Sequence, residues 1–260
     1  MPDVDLREAA AKLLKAYEVP KEYEFLTQDE DCIRMLKQAD KLAPLDDAVL
    51  ITGESGTGKE LVARRLHGRR DGRFIALNLA SIPDSMIQAE LFGHVRGSYS
   101  GAVSNRMGLL IAAAKGTLFL DEIGEISPSL QVLLLRLVET RRFRRIGENE
   151  DTEFTGRFIF ATNSIDSQFR NDLYQRIAAF RLKLKPLRQR MDDARLILKD
   201  TLTEPEYEDL IKSVYDAAKD SSWDPRPTIL AGNVRELLRL AKQYKVLGPD
   251  SLDFHWQGDH

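Results

Sequence analysis

Short apolar runs alternate with helically spaced apolar positions along the first two thirds of the chain. Ala48-Val49-Leu50-Ile51-Thr52, Phe74-Ile75-Ala76-Leu77-Asn78, Thr117-Leu118-Phe119-Leu120 and Phe158-Ile159-Phe160-Ala161 are nearly unbroken, the pattern of strands buried on both faces. Helical patterns lie between them: Leu61, Val62 and Leu66; Pro83 to Phe92; Met107 to Ala114. A further helix is opened by Pro128 behind a Ser127 cap and carries Leu130, Leu133, Leu134, Leu137 and Val138. Upstream, residues 3–18 predict an amphipathic helix with Leu6, Leu13, Leu14 and Tyr17 near one face, Asp5 and Glu8 at capping-box spacing, and Pro20 as its stop. Ile33, Leu36, Ala39 and Leu42 predict a second helix, leading through Pro44 to the first strand. Phe143 to Thr155 is polar, basic and hairpin-like.

This alternation predicts an α/β fold, a mainly parallel sheet covered by helices on both faces. Around Pro186 the pattern changes: to about Leu247 only helical periodicity remains, interrupted at Asp224 to Pro227. The expected organisation is an N-terminal helix and linker (1–25), an α/β nucleotide-binding domain (26–185), a smaller all-helical lid domain (186–247) and a frayed tail (248–260).

Composition narrows the class. Of 260 residues, 43% are hydrophobic and 30% charged, an ordinary globular balance. A formal charge of −3 gives no overall attraction to nucleic acid or anionic membrane, so DNA binding is not supported within this chain. The apolar stretch from Gly108 to Leu120 is interrupted by Lys115 and too short to span a bilayer, and the N-terminus lacks a signal-peptide core. The lone Cys32 cannot form an internal disulfide, and the four histidines have no metal-ligand spacing. A soluble cytoplasmic protein is expected.

The candidate chemistry begins where the first apolar run ends. Gly53-Glu54-Ser55-Gly56-Thr57-Gly58-Lys59 has the spacing of a phosphate-binding loop. Its glycines let backbone N–H groups turn towards phosphate oxygens, Lys59 adds a positive charge, and the following helix aims its dipole at the same anion. Glu60 stands where a Mg²⁺-binding Ser or Thr is usual. Asp121 and Glu122 end the 117–120 run, where open α/β sheets place their ligand chemistry; Asp121 suits Mg²⁺ and Glu122 an attacking water. Asn163, ending the next strand, suits γ-phosphate sensing or positioning of water. Gly93 to Ala102 is a Gly-punctuated loop with Tyr99 at its centre, a tip able to lift and fold. Arg136, Arg141, Arg142, Arg144 and Arg145 form a basic patch that suits DNA, a ring pore or a solvated helix end alike.

Five motifs in order make a specific resemblance: GESGTGKE (53–60), ELFGHVRGSYSGA (90–102), GTLFLDEIGEI (116–126), FRNDLYQRI (169–177) and GNVREL (232–237). Together they resemble the central AAA+ ATPase domain of the bacterial sigma-54-dependent transcription activators, over about residues 25 to 247. The resemblance implies ATP and Mg²⁺ as ligands, bacterial cytoplasm as location, a ring of six subunits and sigma-54 RNA polymerase holoenzyme as partner. It implies that Lys59 contacts phosphate, that Asp121 supports Mg²⁺ and that Glu122 activates water. Within this family Glu60 is the usual residue. Asn78 matches the asparagine that restrains the catalytic Glu, Thr162 and Asn163 the first sensor, and Arg235 the nucleotide-sensing lid arginine. Arg170 and Arg176, six apart on an expected helix, match a pair presented to a neighbouring subunit's ATP. Gly97-Ser98-Tyr99-Ser100-Gly101-Ala102 matches the family's GAFTGA loop, which presents an aromatic and a hydroxyl to sigma-54; here Phe is replaced by Tyr and Thr by Ser. The chain departs from the family pattern in a shorter stretch between Asn163 and Arg170, and in Leu230-Ala231 where Trp-Pro is customary. The resemblance starts near residue 25 and stops near 247, so an excised core, or a form that finds promoters by other means, is expected. Competing expectations are a AAA+ remodeller with another protein partner, and a nucleotide-gated binding module without turnover.

Overall fold

The computed structural model describes residues 24–68, 70–98, 104–165, 169–219, 230–249 and 252. The helix expected over 3–18, the interruption at 224–227 and most of the tail lie outside these residues. In chain order the elements are α1 (Glu30–Leu42), β1 (Val49–Thr52), α2 (Lys59–His67), β2 (Phe74–Asn78), α3 (Asp84–Phe92), β3 (Gly93–His94), β4 (Arg106–Met107), α4 (Leu109–Ala112) and β5 (Thr117–Asp121). They continue as α5 (Pro128–Thr140), β6 (Arg142–Phe143), β7 (Thr152–Glu153), β8 (Arg157–Thr162), α6 (Asn171–Ile177), β9 (Phe180–Lys183), α7 (Asp192–Leu198), α8 (Glu204–Lys219) and α9 (Asn233–Leu247). No helix among the described residues is long and apolar enough to cross a membrane.

The chain forms two compact units. The first contains Gln38–Thr52 and Glu60–Leu182; the second contains Glu24–Lys37, Gly53–Lys59 and the chain from Lys183 onward.

In the first unit the four apolar runs are four adjacent strands of a five-stranded sheet ordered β2-β5-β8-β1-β9. The pairs β2–β5, β5–β8 and β1–β8 are parallel, with Asn78 opposite Asp121 and Thr52 opposite Thr162. Parallel register brings the carboxyl ends of all four strands to one edge. The core buries Leu50, Ile75, Leu118, Leu120, Phe158 and Phe160 from the strands, and Leu130, Leu134 and Leu137 from α5. Ser127 caps α5 as expected, its hydroxyl accepting the Leu130 N–H. At the opposite, amino-terminal edge the fully buried Arg157 binds three carbonyls, of Asp47, Ala43 and Leu66.

The second unit has a helical core of Leu187, Leu198, Leu210, Leu237, Leu240 and Ala241. Asp193, fully buried, accepts from Thr27 Oγ1 and the Gln28 N–H and pairs with Arg190 at 2.9 Å.

Two expectations are corrected. In α1 the buried positions are Cys32, Met35, Leu36 and Ala39; Ile33 and Leu42 are only half-buried. Asp29 Oδ1 accepts the Cys32 N–H at the start of this helix, and packing selects which face is buried. The helix expected over Met107 to Ala114 shrinks to one turn, because Arg106 and Met107 pair with His94 and Gly93 instead. In the basic patch Arg136, Arg142 and Arg144 are exposed, whereas Arg141 is half-buried over the rings of Phe154 and Phe158; Arg144 pairs with Asp151 and Arg145 with Glu148.

Candidate functional site

The loop that follows β1 is defined by where its carbonyls go. Gly53 O accepts from Lys59 Nζ at 2.9 Å, and Glu54 O from Thr57 Oγ1 at 2.7 Å. Ser55 O accepts from Asn233 Nδ2 at 3.0 Å, Gly56 O from the Val234 N–H at 3.1 Å, and Thr57 O from Arg190 Nη2 at 3.0 Å. A trans peptide unit points its C=O and the next residue's N–H in opposite directions. Tying the carbonyls back therefore turns the following N–H groups the other way. Among the described residues the N–H groups of Ser55, Gly56 and Gly58 meet no acceptor, as an anion cradle requires. Gly56 has φ +74, and a Cβ there would lie 2.1 Å from Gly232 O, so this position admits only glycine. Lys59 and Thr57 are both buried.

Glu54 is the loop's one acidic side chain. Arg188 grips it bidentately, Nη1 to Oε2 and Nη2 to Oε1, both at 2.6 Å, and Asn233 Nδ2 adds a bond at 3.2 Å. The Arg188 guanidinium, with Asn233 in support, holds the Glu54 carboxyl below the usual carboxylate range. Arg235, one turn into α9, reaches Ser55 Oγ at 3.4 Å. Glu60 turns to its own helix, pairing with Arg64 at 3.1 Å.

At the carboxyl edge of the sheet, Asp121 Oδ1 accepts the Glu122 N–H at 3.0 Å. Glu122 is left-handed (φ 55, ψ 46), a conformation that costs a non-glycine residue about 1 kcal/mol and is held by its surroundings. Its Oε2 accepts the Asn163 N–H at 3.2 Å, so the acid after β5 touches the end of β8. A Cβ on Gly124 would lie 2.4 Å from Ser164 O, which explains a glycine where the turn after Glu122 meets this segment. Asn78 Oδ1 accepts the Ala80 N–H at 2.9 Å and caps the short turn after β2. Asp121 and Glu122 are half-buried, Asn78 and Asn163 exposed. Among the described residues no cluster of three or more His, Cys, Asp or Glu is placed to hold a metal ion. A single strand-end aspartate nevertheless fits Mg²⁺, which keeps waters and takes few protein carboxylates when phosphates complete its shell.

The arginines differ from expectation in one respect. Arg170 is not helical but precedes α6 as its cap residue, its N–H bound to Gln131 Oε1 at 2.7 Å; Arg176 lies in the last turn. Both side chains are exposed, Arg170 paired with Asp172 at 2.6 Å and Arg176 with Glu139 at 3.0 Å.

Of the tip loop, Gly97 and Ser98 are described; Tyr99, Ser100, Gly101 and Ala102 lie outside the described residues. The root is built on the β3–β4 ladder and secured by Arg96 N–H to Asn105 Oδ1 at 2.8 Å and the Arg106–Glu90 pair. It also binds the segment between β6 and β7: Val95 N–H to Ile146 O at 3.0 Å and Ile146 N–H to Gly93 O at 2.9 Å. Sequence reasoning did not find this second support, nor the roles of Arg188, Arg190 and Asn233. For Asn233 alone a signal existed, its place inside GNVREL.

Comparison with known proteins gives this geometry a context. A family described as the sigma-54 interaction domain matches residues 25–183. The transcriptional regulatory protein GlrR of Escherichia coli K12 is 39% identical over 237 residues, covering 85% of this chain and 52% of that protein. The Nif-specific regulatory protein of Bradyrhizobium diazoefficiens is 45% identical over 177 residues, 65% of this chain and 30% of that protein. The chain thus spans about half the length, or less, of the curated relatives it matches. Among solved structures, NtrX of Brucella abortus in complex with ATP superposes with a TM-score of 0.71 at 24% identity, over 96% of this chain and 58% of that one.

Proposed function

This chain belongs to the sigma-54 interaction domain family, and from that membership we propose that it is the ATP-hydrolysing core of a sigma-54-dependent transcription activator. In this reading it remodels sigma-54 RNA polymerase holoenzyme towards open-complex formation in the bacterial cytoplasm. The observation that carries the proposal is the loop 53–59, whose tied carbonyls leave the N–H groups of Ser55, Gly56 and Gly58 available to an anion. The complex of NtrX with ATP supports the choice of nucleotide.

The residues divide the work. The loop N–H groups and Lys59 hold the β- and γ-phosphates, and Glu54, Ser55, Thr57 and Glu60 shape the surrounding loop and first helical turn. Asp121 would hold Mg²⁺, which supplies charge neutralisation on the phosphate oxygens. Glu122 presents a carboxylate already accepting one N–H, from Asn163, and a water bound to it would be oriented for in-line attack. Asn78 restrains Glu122 in a nucleotide-dependent way, Asn163 senses the γ-phosphate, and Arg235 reads the nucleotide from α9. Arg170 and Arg176 are exposed and held by carboxylates that a neighbour's phosphates can replace, which supports donation to an adjacent subunit in a six-membered ring. Gly97 to Ala102 engages sigma-54. Residues 26–185 act as the nucleotide-binding domain and 186–247 as its lid.

The test separates binding from turnover. Lys59→Ala should abolish nucleotide binding, whereas Glu122→Gln should bind nucleotide normally and fail to hydrolyse it. Equal affinity for wild type and Lys59→Ala would sink the assignment.

A further inference from the structure

The seating of the phosphate loop within its unit converges on one carboxamide. Asn233 is fully buried, and its φ of 54 is left-handed, which Asn tolerates better than most residues. Asn233 Oδ1 accepts the Leu187 N–H at 2.6 Å, which fixes the orientation of the amide. Nδ2 then faces Glu54 Oε2 at 3.2 Å, Ser55 O at 3.0 Å and Ala231 O at 3.2 Å. The next residue extends the contact, because the Val234 N–H, an otherwise orphaned donor at the start of α9, is taken by Gly56 O. Arg188 completes the arrangement by holding both oxygens of Glu54, which becomes a strut between guanidinium and carboxamide.

We propose that Asn233 is a positioning residue for nucleotide binding: through Ser55 O and Glu54 it sets the peptide plane that aims the Gly56 N–H group. The inference rests on the reading of 53–59 as the phosphate site and adds the residue that holds this site in shape. Asn233 touches no phosphate in this scheme. Its removal should loosen the loop before it affects chemistry.

Asn233→Asp tests this with little change of shape. It keeps tolerance of left-handed backbone and the bond from Leu187, but removes both donors and sets a second carboxylate against Glu54. Glu54→Gln with Asn233→Asp reverses the polarity of the Glu54 contact alone, because the new carboxamide donates to the new carboxylate. Three readouts are taken on the full chain: hydrogen exchange at the Val234 amide, KM and kcat for ATP, and melting temperature. With Asn233→Asp the Val234 amide should exchange about tenfold faster and KM should rise about tenfold, as loss of a buried bond to a charged group implies, with kcat within about threefold. The double variant should recover only part of the loss, because Ser55 O and Ala231 O still face an acceptor. Unchanged exchange and KM in Asn233→Asp overturn the proposal. A lower melting temperature with Val234 exchange and KM intact would make Asn233 merely structural and also overturn it. Failure of the wild type to bind nucleotide would overturn the parent reading instead, and Val234 exchange would still decide whether Asn233 seats the loop.

Discussion

Replacing Arg157 by Met should destabilise the sheet unit by about 3 kcal/mol. Arg157 opens β8, the strand whose far end carries Thr162 and Asn163, and it is fully buried. Its Nε donates to Asp47 O at 3.0 Å and its Nη1 to Ala43 O at 3.2 Å and Leu66 O at 3.1 Å, while Nη2 meets no acceptor among the described residues. Methionine approximates the length and removes every donor. Each carbonyl left dry then costs about 1–3 kcal/mol. The opposing effect is the buried charge. Burial, reinforced by repulsion from Arg70, pulls the Arg157 pKa from 12.5 to about 10. That change corresponds to about 3 kcal/mol of lost preference for the charged form, which the substitution returns. Three carbonyls at about 2 kcal/mol each, less that return, leave the stated net loss. Urea denaturation followed by far-UV circular dichroism should show the sheet unit's midpoint lowered by about 1 M or more. A midpoint at or above the wild-type value would refute the reasoning, because it would mean that the carbonyls rehydrate and the charge is the dominant cost.

Three further outcomes are expected. If Arg170 and Arg176 act on a neighbour, specific activity rises with protein concentration, and mixing Arg176→Ala with Lys59→Ala subunits restores turnover absent from either alone; a strict monomer with concentration-independent turnover speaks against it. Tyr99→Ala should leave ATP turnover within about twofold yet lose sigma-54 in pull-down, since an interface aromatic contributes about 2 kcal/mol or more; a joint fall in melting temperature and turnover would instead mark Tyr99 as a packing residue. Arg188→Met should lower stability only while Glu54 is ionised. Because the folded pKa of Glu54 is depressed, the pair's contribution is complete above the ordinary value of 4.5 and disappears as pH falls through the depressed value. With both side chains partly exposed that contribution is at most about 1 kcal/mol, so the wild-type advantage seen at neutral pH should shrink as pH falls below 4.5 and through the depressed value. An advantage that stays flat over this range refutes the pairing.

The parts legible in the sequence are those encoded over short spans. An apolar run with glycines behind it specifies strand and loop together, and an acid pair behind another run specifies a strand end. Helix phase was less legible: in α1 Cys32 and Ile33 are adjacent apolar candidates to start the stripe, and tertiary packing, which no local pattern encodes, buries Cys32. The Arg106–Met107 strand was hidden because its partner, Gly93-His94, belongs to a segment that composition marks only as loop. Arg141 looked like surface charge because nothing nearby in sequence announces the rings of Phe154 and Phe158 beneath it. The Glu54, Arg188 and Asn233 arrangement joins residues 134 and 179 positions apart, and no local pattern carries such a pairing.

The bridge between the tip-loop root and the β6–β7 hairpin bears on how such proteins can be recombined. His94 is bridged to Ile146, and a Cβ on Gly147 would lie 2.6 Å from the Cβ of Ser98, so neither segment has a free surface towards the other. A chimera that imports 93–107 from a relative while keeping the native 142–153 would set a foreign root against a fitted partner. The transplantable cassette is therefore the two segments together, although α4, β5 and the Asp121–Glu122 pair lie between them in the chain. Lineages that retune the tip are expected to vary in both segments at once.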